Sequence, residues 1–188
     1  MQQTGEYRIA AARETVWRAL NDPQILARCI DGCQSMTKVA DDAFTTSIKT
    51  KVGPVSATFG ADLQLTDVDP LNGYTLNASV KGGAAGFGKG AARVALADDG
   101  GGATILRYQV DGSVGGKLAQ IGSRLIDGAA RKMADDFFRK FGESVAPGGV
   151  VAPPVAAAAT ADGYEKSGRR IVWIIVFAVL ILAILLAI

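Results

Sequence analysis

Residues 55–66 read VSATFGADLQLT, in which Val55, Ala57, Phe59, Ala61, Leu63 and Leu65 alternate without a break with Ser56, Thr58, Gly60, Asp62, Gln64 and Thr66. A period of two, with one apolar face and one polar face, marks a long half-buried antiparallel strand. The same alternation recurs on both sides. Phe44, Thr46 and Ile48 alternate with Thr45, Ser47 and Lys49, and Leu76, Ala78 and Val80 alternate with Thr75, Asn77 and Ser79. Further on come Ala92, Val94 and Leu96, then Leu106, Tyr108 and Val110. Gly53-Pro54, Asp69-Pro70 with Asn72-Gly73, and the run from Asp98 to Gly102 supply the turns. The pattern predicts an antiparallel meander.

Helical spacing flanks it. A first strand is expected over Gly5 to Ala11, followed by a helix in RETVWRAL (13–20), with Val16, Trp17 and Leu20 on one face. Asn21-Asp22-Pro23 stops that helix and starts another, Asp22 serving as N-cap and Pro23 taking the first helical position. Gly32 closes the second helix in the left-handed position. From Lys117 to Phe141 the period is again helical, with Leu118, Ile121, Leu125, Ala129, Met133, Phe137 and Phe141 on one face and Gly142 as the stop. A helix of that length, roughly 38 Å, would cross the whole sheet. The expected fold is α+β, a curved antiparallel sheet wrapped around a long C-terminal helix.

Composition removes much chemistry. The chain has 188 residues, no His, 2 Cys and a formal charge of only +2. Without His there is no imidazole base and no His-ligated zinc or haem. Two cysteines make neither a disulfide scaffold nor a four-thiolate site, and Cys29 and Cys33 read as structural thiols. No basic stripe points to nucleic acid. Asp41-Asp42, Asp98-Asp99 and Asp135-Asp136 are neighbours whose side chains diverge, so they read as solvated charges before they read as an acid–base pair.

Three zones follow. Residues 1–142 carry the periodic runs of a folded domain. Residues 143–168 are rich in Ala, Pro, Gly and Val with no apolar period, and read as a flexible linker. Residues 169–188 read as a membrane anchor: 171–188 (IVWIIVFAVLILAILLAI) has no polar side chain other than the indole of Trp173, and as a helix it would span roughly 27 Å. A buried core helix is the alternative. Lys166, Arg169 and Arg170 precede the apolar run and no charge follows it, so the positive-inside rule puts the folded domain on the cytoplasmic side of the inner membrane.

Small inward residues (Ala57, Ala61, Ala78, Ala92, with Gly122 and Gly128 on or beside the helix) would leave room between sheet and helix. Candidate walls of an apolar cavity are Trp17, Phe44, Phe59, Leu63, Leu65 and Leu76, together with Phe87, Leu106, Tyr108, Leu125 and Met133. The same side chains could equally pack solid. The run KGGAAGFGKGAAR (81–93) matches G-x-x-x-x-G-K at Gly83, Gly88 and Lys89, and G-x-G-x-x-A at Gly86, Gly88 and Ala91. Both fingerprints need a strand before and a helix after. Here strands flank both sides, so the run reads as a mobile glycine-rich hairpin at the cavity rim and not as a nucleotide site.

Four strings carry a family resemblance: VWRALNDPQILARCIDGC (16–33), KVGPVSATF (51–59), KGGAAGFGKGAARVAL (81–96) and GGKLAQIGSRLIDGAARKMADDFF (115–138). With the order strand, two short helices, meander, long helix, they resemble the carbon-monoxide-dehydrogenase G-subunit family of the SRPBCC (START/Bet v 1-like) superfamily. The resemblance implies a helix-grip fold with a six-strand meander. It implies a non-catalytic accessory protein that recruits a molybdenum-hydroxylase carbon monoxide dehydrogenase to the cytoplasmic membrane, and with the cavity and tether it suggests handling of an isoprenoid quinone. It carries over no catalytic, cofactor-binding or metal residues. A docking module with a filled cavity, or an enzyme drawing on Tyr108, Asp62 or Lys89, stand as alternatives.

Overall fold

The computed structural model describes residues 2–146. The linker beyond residue 146 and the anchor with Arg169, Arg170 and Trp173 lie outside the described residues, among which no helix is long and apolar enough to cross a membrane.

Seven strands form one antiparallel sheet: β1 (Gln2–Ile9), β2 (Cys33–Ala40), β3 (Ala43–Val52), β4 (Val55–Asp69), β5 (Gly73–Lys81), β6 (Phe87–Asp98) and β7 (Thr104–Gly115). Their order is β1-β7-β6-β5-β4-β3-β2, so the meander runs without crossover and the first strand pairs with the last. Strand β4 follows the expected alternation, with Phe59, Ala61, Leu63 and Leu65 buried between exposed neighbours. Register carries that apolar face across the sheet: Leu65 opposes Leu76, Leu76 opposes Ala92, and Val94 opposes both Tyr74 and Tyr108.

Helices α1 (Arg13–Leu20) and α2 (Pro23–Cys29) sit where the sequence placed them. The Asp22 carboxylate accepts from the Gln24 and Ile25 amides, capping α2. Helix α2 ends at Cys29 with Ile30 as an extended C-cap, so Gly32, at φ +73°, turns the chain into β2 and does not close the helix as expected. Strand β2 escapes the pattern reading because it is an edge strand whose residues are mostly exposed, leaving no apolar alternation to detect. The first strand starts at Gln2 and ends at Ile9, ahead of the expected Gly5 to Ala11.

The long helix differs most from expectation. A short α3 (Lys117–Gln120) and α4 (Ser123–Val145) replace the single helix over 117–141. Gly122 at φ +86° makes the break. The buried stripe of α4 runs through Ile126, Ala130, Met133, Phe137 and Phe141. Counting back two turns from Met133 reaches Ile126, so Leu125 falls beside the stripe and is 60% exposed. Gly142 does not stop α4, which continues to Val145. Ala146 is extended at φ −84°, ψ 130°, as a residue before Pro147 prefers. Lys140 pairs with Asp31, and Thr104 donates from its hydroxyl to the Ala11 carbonyl at 2.7 Å, tying the helices to the sheet.

Candidate functional site: an apolar cavity under the helices

The inner face of the sheet, the ends of α1 and α2, and the second half of α4 enclose a cavity of about 50 Å³. Phe44, Leu63, Leu65, Leu76 and Leu106 of the sequence-derived set line it, joined by Leu20, Leu26, Tyr74, Val94, Phe137 and Phe138. Parity could have found two of these, since Tyr74 shares the face of Leu76, and Val94 that of Ala92. Leu20, Leu26, Phe137 and Phe138 come from helices whose docking angle no local pattern encodes. The volume equals one or two water molecules, so a larger occupant enters by moving Leu and Phe side chains.

The remaining six lie elsewhere. Trp17 is half-buried beside the wall, edge-on to Tyr74 with ring centroids 5.8 Å apart. Phe59 is buried against Gly82, where an added Cβ would lie 2.2 Å from its ring. Tyr108 belongs to an aromatic stack behind the cavity, 5.7 Å from Phe138, which lies 4.1 Å from Tyr7. Gly5 opposes Tyr108 across the strands and leaves space for its ring. Phe87 is 55% exposed because its odd position on β6 faces outward, over Gly115. Leu125 is exposed for the helical reason given above. Met133 lines a different space, an open cleft of about 470 Å³ between α4 and the β3–β4 turn, bounded by Val52, Gly53, Ala129 and Lys132 among others. Phe137 stands one turn along from Met133 on the same face, so cleft and cavity follow each other along α4.

The electrostatics are those of a dry interior. Tyr7 donates to Asp135 Oδ1 at 2.7 Å, while the adjacent Asp136 pairs with Lys132, so the two carboxylates do diverge. Asp135 nevertheless holds a specific partner and is more than a solvated charge. Burial, the largest cause in each case, disfavours the phenolate and moves the ionisation of Tyr7, Tyr74 and Tyr108 to higher pH, for Tyr108 to about 12. Burial likewise pushes up the thiols of Cys29 and Cys33. Among the described residues no three His, Cys, Asp or Glu side chains converge as metal ligands.

The glycine-rich run has a packing explanation. Residues 83–85 form one 3-10 turn and Phe87 begins β6, with no helix following. Gly86 has φ +128°, and a Cβ there would sit 2.2 Å from the Gly115 carbonyl oxygen. The turn is pressed against the β7–α3 junction at Gly86, in place of the free-standing hairpin that its composition suggests.

A curved antiparallel sheet closed by a C-terminal helix over an apolar interior is the START-like fold. The described domain shares it with a START superfamily protein from Mycobacterium smegmatis (14% identity, TM-score 0.54, covering 77% of this chain and 96% of that one). It also shares it with the Zhui aromatase/cyclase from Streptomyces sp. R1128 (11%, TM-score 0.56, 80% and 99%). A conserved protein from Geobacillus kaustophilus is nearer in sequence, at 30% identity with TM-score 0.73 over 77% of this chain and 95% of that one. No curated protein sequence matches. Residues 5–146 match the family of the carbon monoxide dehydrogenase G subunit (CoxG), and the chain belongs to that family.

Proposed function

We propose that this protein is a non-catalytic accessory of a molybdenum-hydroxylase carbon monoxide dehydrogenase. In this reading it takes an apolar molecule, an isoprenoid quinone, into the space between sheet and helices. The apolar run 171–188 holds it at the cytoplasmic face of the membrane, where the quinone accepts electrons for the respiratory chain. The observation that carries this reading is the cavity itself: within a CoxG-family domain, ten of the eleven lining residues have pure hydrocarbon side chains. Such walls offer a ligand burial and shape but little acid–base chemistry, which favours binding over catalysis. In this reading the ligand enters by the open cleft, which Met133 lines one helical turn before Phe137 of the cavity wall, a flexible thioether being able to move aside.

The test is purification of the full chain from native membranes in mild detergent, with mass spectrometry of both co-purifying protein and extracted lipid. The expected result is the dehydrogenase together with a quinone. Dehydrogenase with no quinone, and no uptake of added quinone, would leave a docking module. A chain lacking 171–188 is expected in the soluble fraction, and its retention on membranes in high salt would remove the anchor from the proposal.

A further inference from the structure

A formal charge of only +2 hides a separation of charge along the strands. Because the meander runs without crossover, the β2–β3, β4–β5 and β6–β7 turns fall at one end of the sheet. The β3–β4 and β5–β6 turns and the β7–α3 junction fall at the other. The first end carries Asp41, Asp42, Asp67, Asp69, Asp98 and Asp99, all exposed, and Lys38, Arg13 and Arg8 pair with three of them. The second end carries Lys49, Lys51, Lys81, Lys89, Lys117 and Arg124, also exposed. Among the described residues none of these six is in an ion pair. Lys81 and Phe87 are cross-strand partners, and Lys89 follows Phe87 on the same outward face. Two carboxylates interrupt the basic end. Asp62 lies two strands from Lys89 in its row, and Asp127 sits three residues after Arg124 and four before Arg131 on α4. Of the exposed large apolar side chains, Phe87 and Leu125 stand at this basic end, and the open cleft, bounded by Lys51, Val52 and Gly53, opens there too.

We propose that this basic end of the folded domain lies directly on an anionic phospholipid surface. The lysines meet lipid phosphates while Phe87 and Leu125 enter the headgroup layer, which turns the mouth of the cleft toward the bilayer. Unpaired cations around apolar tips match an interface that is anionic outside and hydrocarbon beneath. The acidic end, repelled by the same surface, points away from it. Nucleic acid fits less well, because Phe87 alone is a poor platform for successive bases. Each lysine near an anionic surface strengthens the attraction about fivefold, and salt screens it. The contact therefore orients the domain and does not replace an anchor. It holds whatever the cavity binds and whatever retains the chain at the membrane.

The experiment reconstitutes the full chain into vesicles of phosphatidylcholine, alone or with about 30% phosphatidylglycerol. A membrane-impermeant acetylating reagent then labels lysines, and mass spectrometry reads the rate at each one. At about 20 mM salt, phosphatidylglycerol is expected to slow labelling of Lys81, Lys89 and Lys117 about threefold or more and to leave Lys38, at the acidic end, unchanged. At about 500 mM salt the difference is expected to vanish. Lys81→Glu combined with Lys89→Glu, both exposed positions, is expected to remove the protection of Lys117. Equal rates in the two kinds of vesicle, or protection of Lys38 to the same degree, would overturn the proposal. So would protection of these lysines by added dehydrogenase or single-stranded DNA and not by phosphatidylglycerol. Flotation of the same samples at high salt reports on the anchor separately, so loss of one contact is distinguished from loss of the other.

Discussion

Replacing Val94 by isoleucine decides whether the interior is hollow. Val94 lines the cavity and is 8% exposed on β6, a strand position where a β-branched side chain is at home. At about 24 cal/mol per Å³, a void of about 50 Å³ holds about 1.2 kcal/mol of lost packing. One added methylene buried in it contributes about 0.8 kcal/mol. Val94→Ile is therefore expected to stabilise the ligand-free protein by about 1 kcal/mol, a rise of about 3 °C in melting temperature, and to weaken decylubiquinone binding by occupying its space. Urea denaturation followed by circular dichroism, with calorimetric titration of the quinone, measures both effects. A solid core gives the opposite sign, because overpacking costs about 1–3 kcal/mol. Destabilisation of that size would refute the cavity and the reasoning built on it.

Two further outcomes test the packing and the electrostatics. Gly86→Ala, with φ +128° and a backbone oxygen 2.2 Å from the new Cβ, is expected to cost about 3 kcal/mol, whereas Gly83→Ala, at φ +55° with open space around it, should cost about 1 kcal/mol. Equal costs in urea denaturation would show that the run is not built for close approach. The unfolded chain releases tyrosine protons near pH 10.0 while folded Tyr7, Tyr74 and Tyr108 retain theirs, so the tyrosine contribution to stability is full below pH 10 and is lost as pH rises beyond it. The slope is about 1.4 kcal/mol per pH unit for each tyrosine, the Tyr108 share being spent near pH 12, and the buried Cys29 and half-buried Cys33 thiols add to the fall from about pH 9.0. A profile flat to pH 11 would contradict the burial of these rings.

Local periodicity was enough to read most of this architecture. An unbroken two-residue alternation in 55–66 can bury only one face, and Asp22-Pro23 admits few conformations besides a helix start. The 18-residue apolar run at 171–188 and the absence of His are likewise properties of composition, independent of folding. What needed the tertiary structure was every feature set by relative placement. The buried stripe of α4 ran through Ile126 and left Leu125 beside it, because steps of four drift off a 3.6-residue period and only docking on the sheet fixes which row is covered. Tyr108 left the cavity wall for an aromatic stack because Gly5 happened to lie opposite it across two strands that are distant in sequence. Tyr74, which parity puts on the inner face with Leu76, became a wall of the cavity because α1, α2 and α4 enclosed the space around it. Patterns along a chain report which face of an element is buried. Which buried side chains meet around a void is decided by the angles at which whole elements pack, and those are carried by contacts between residues far apart in sequence.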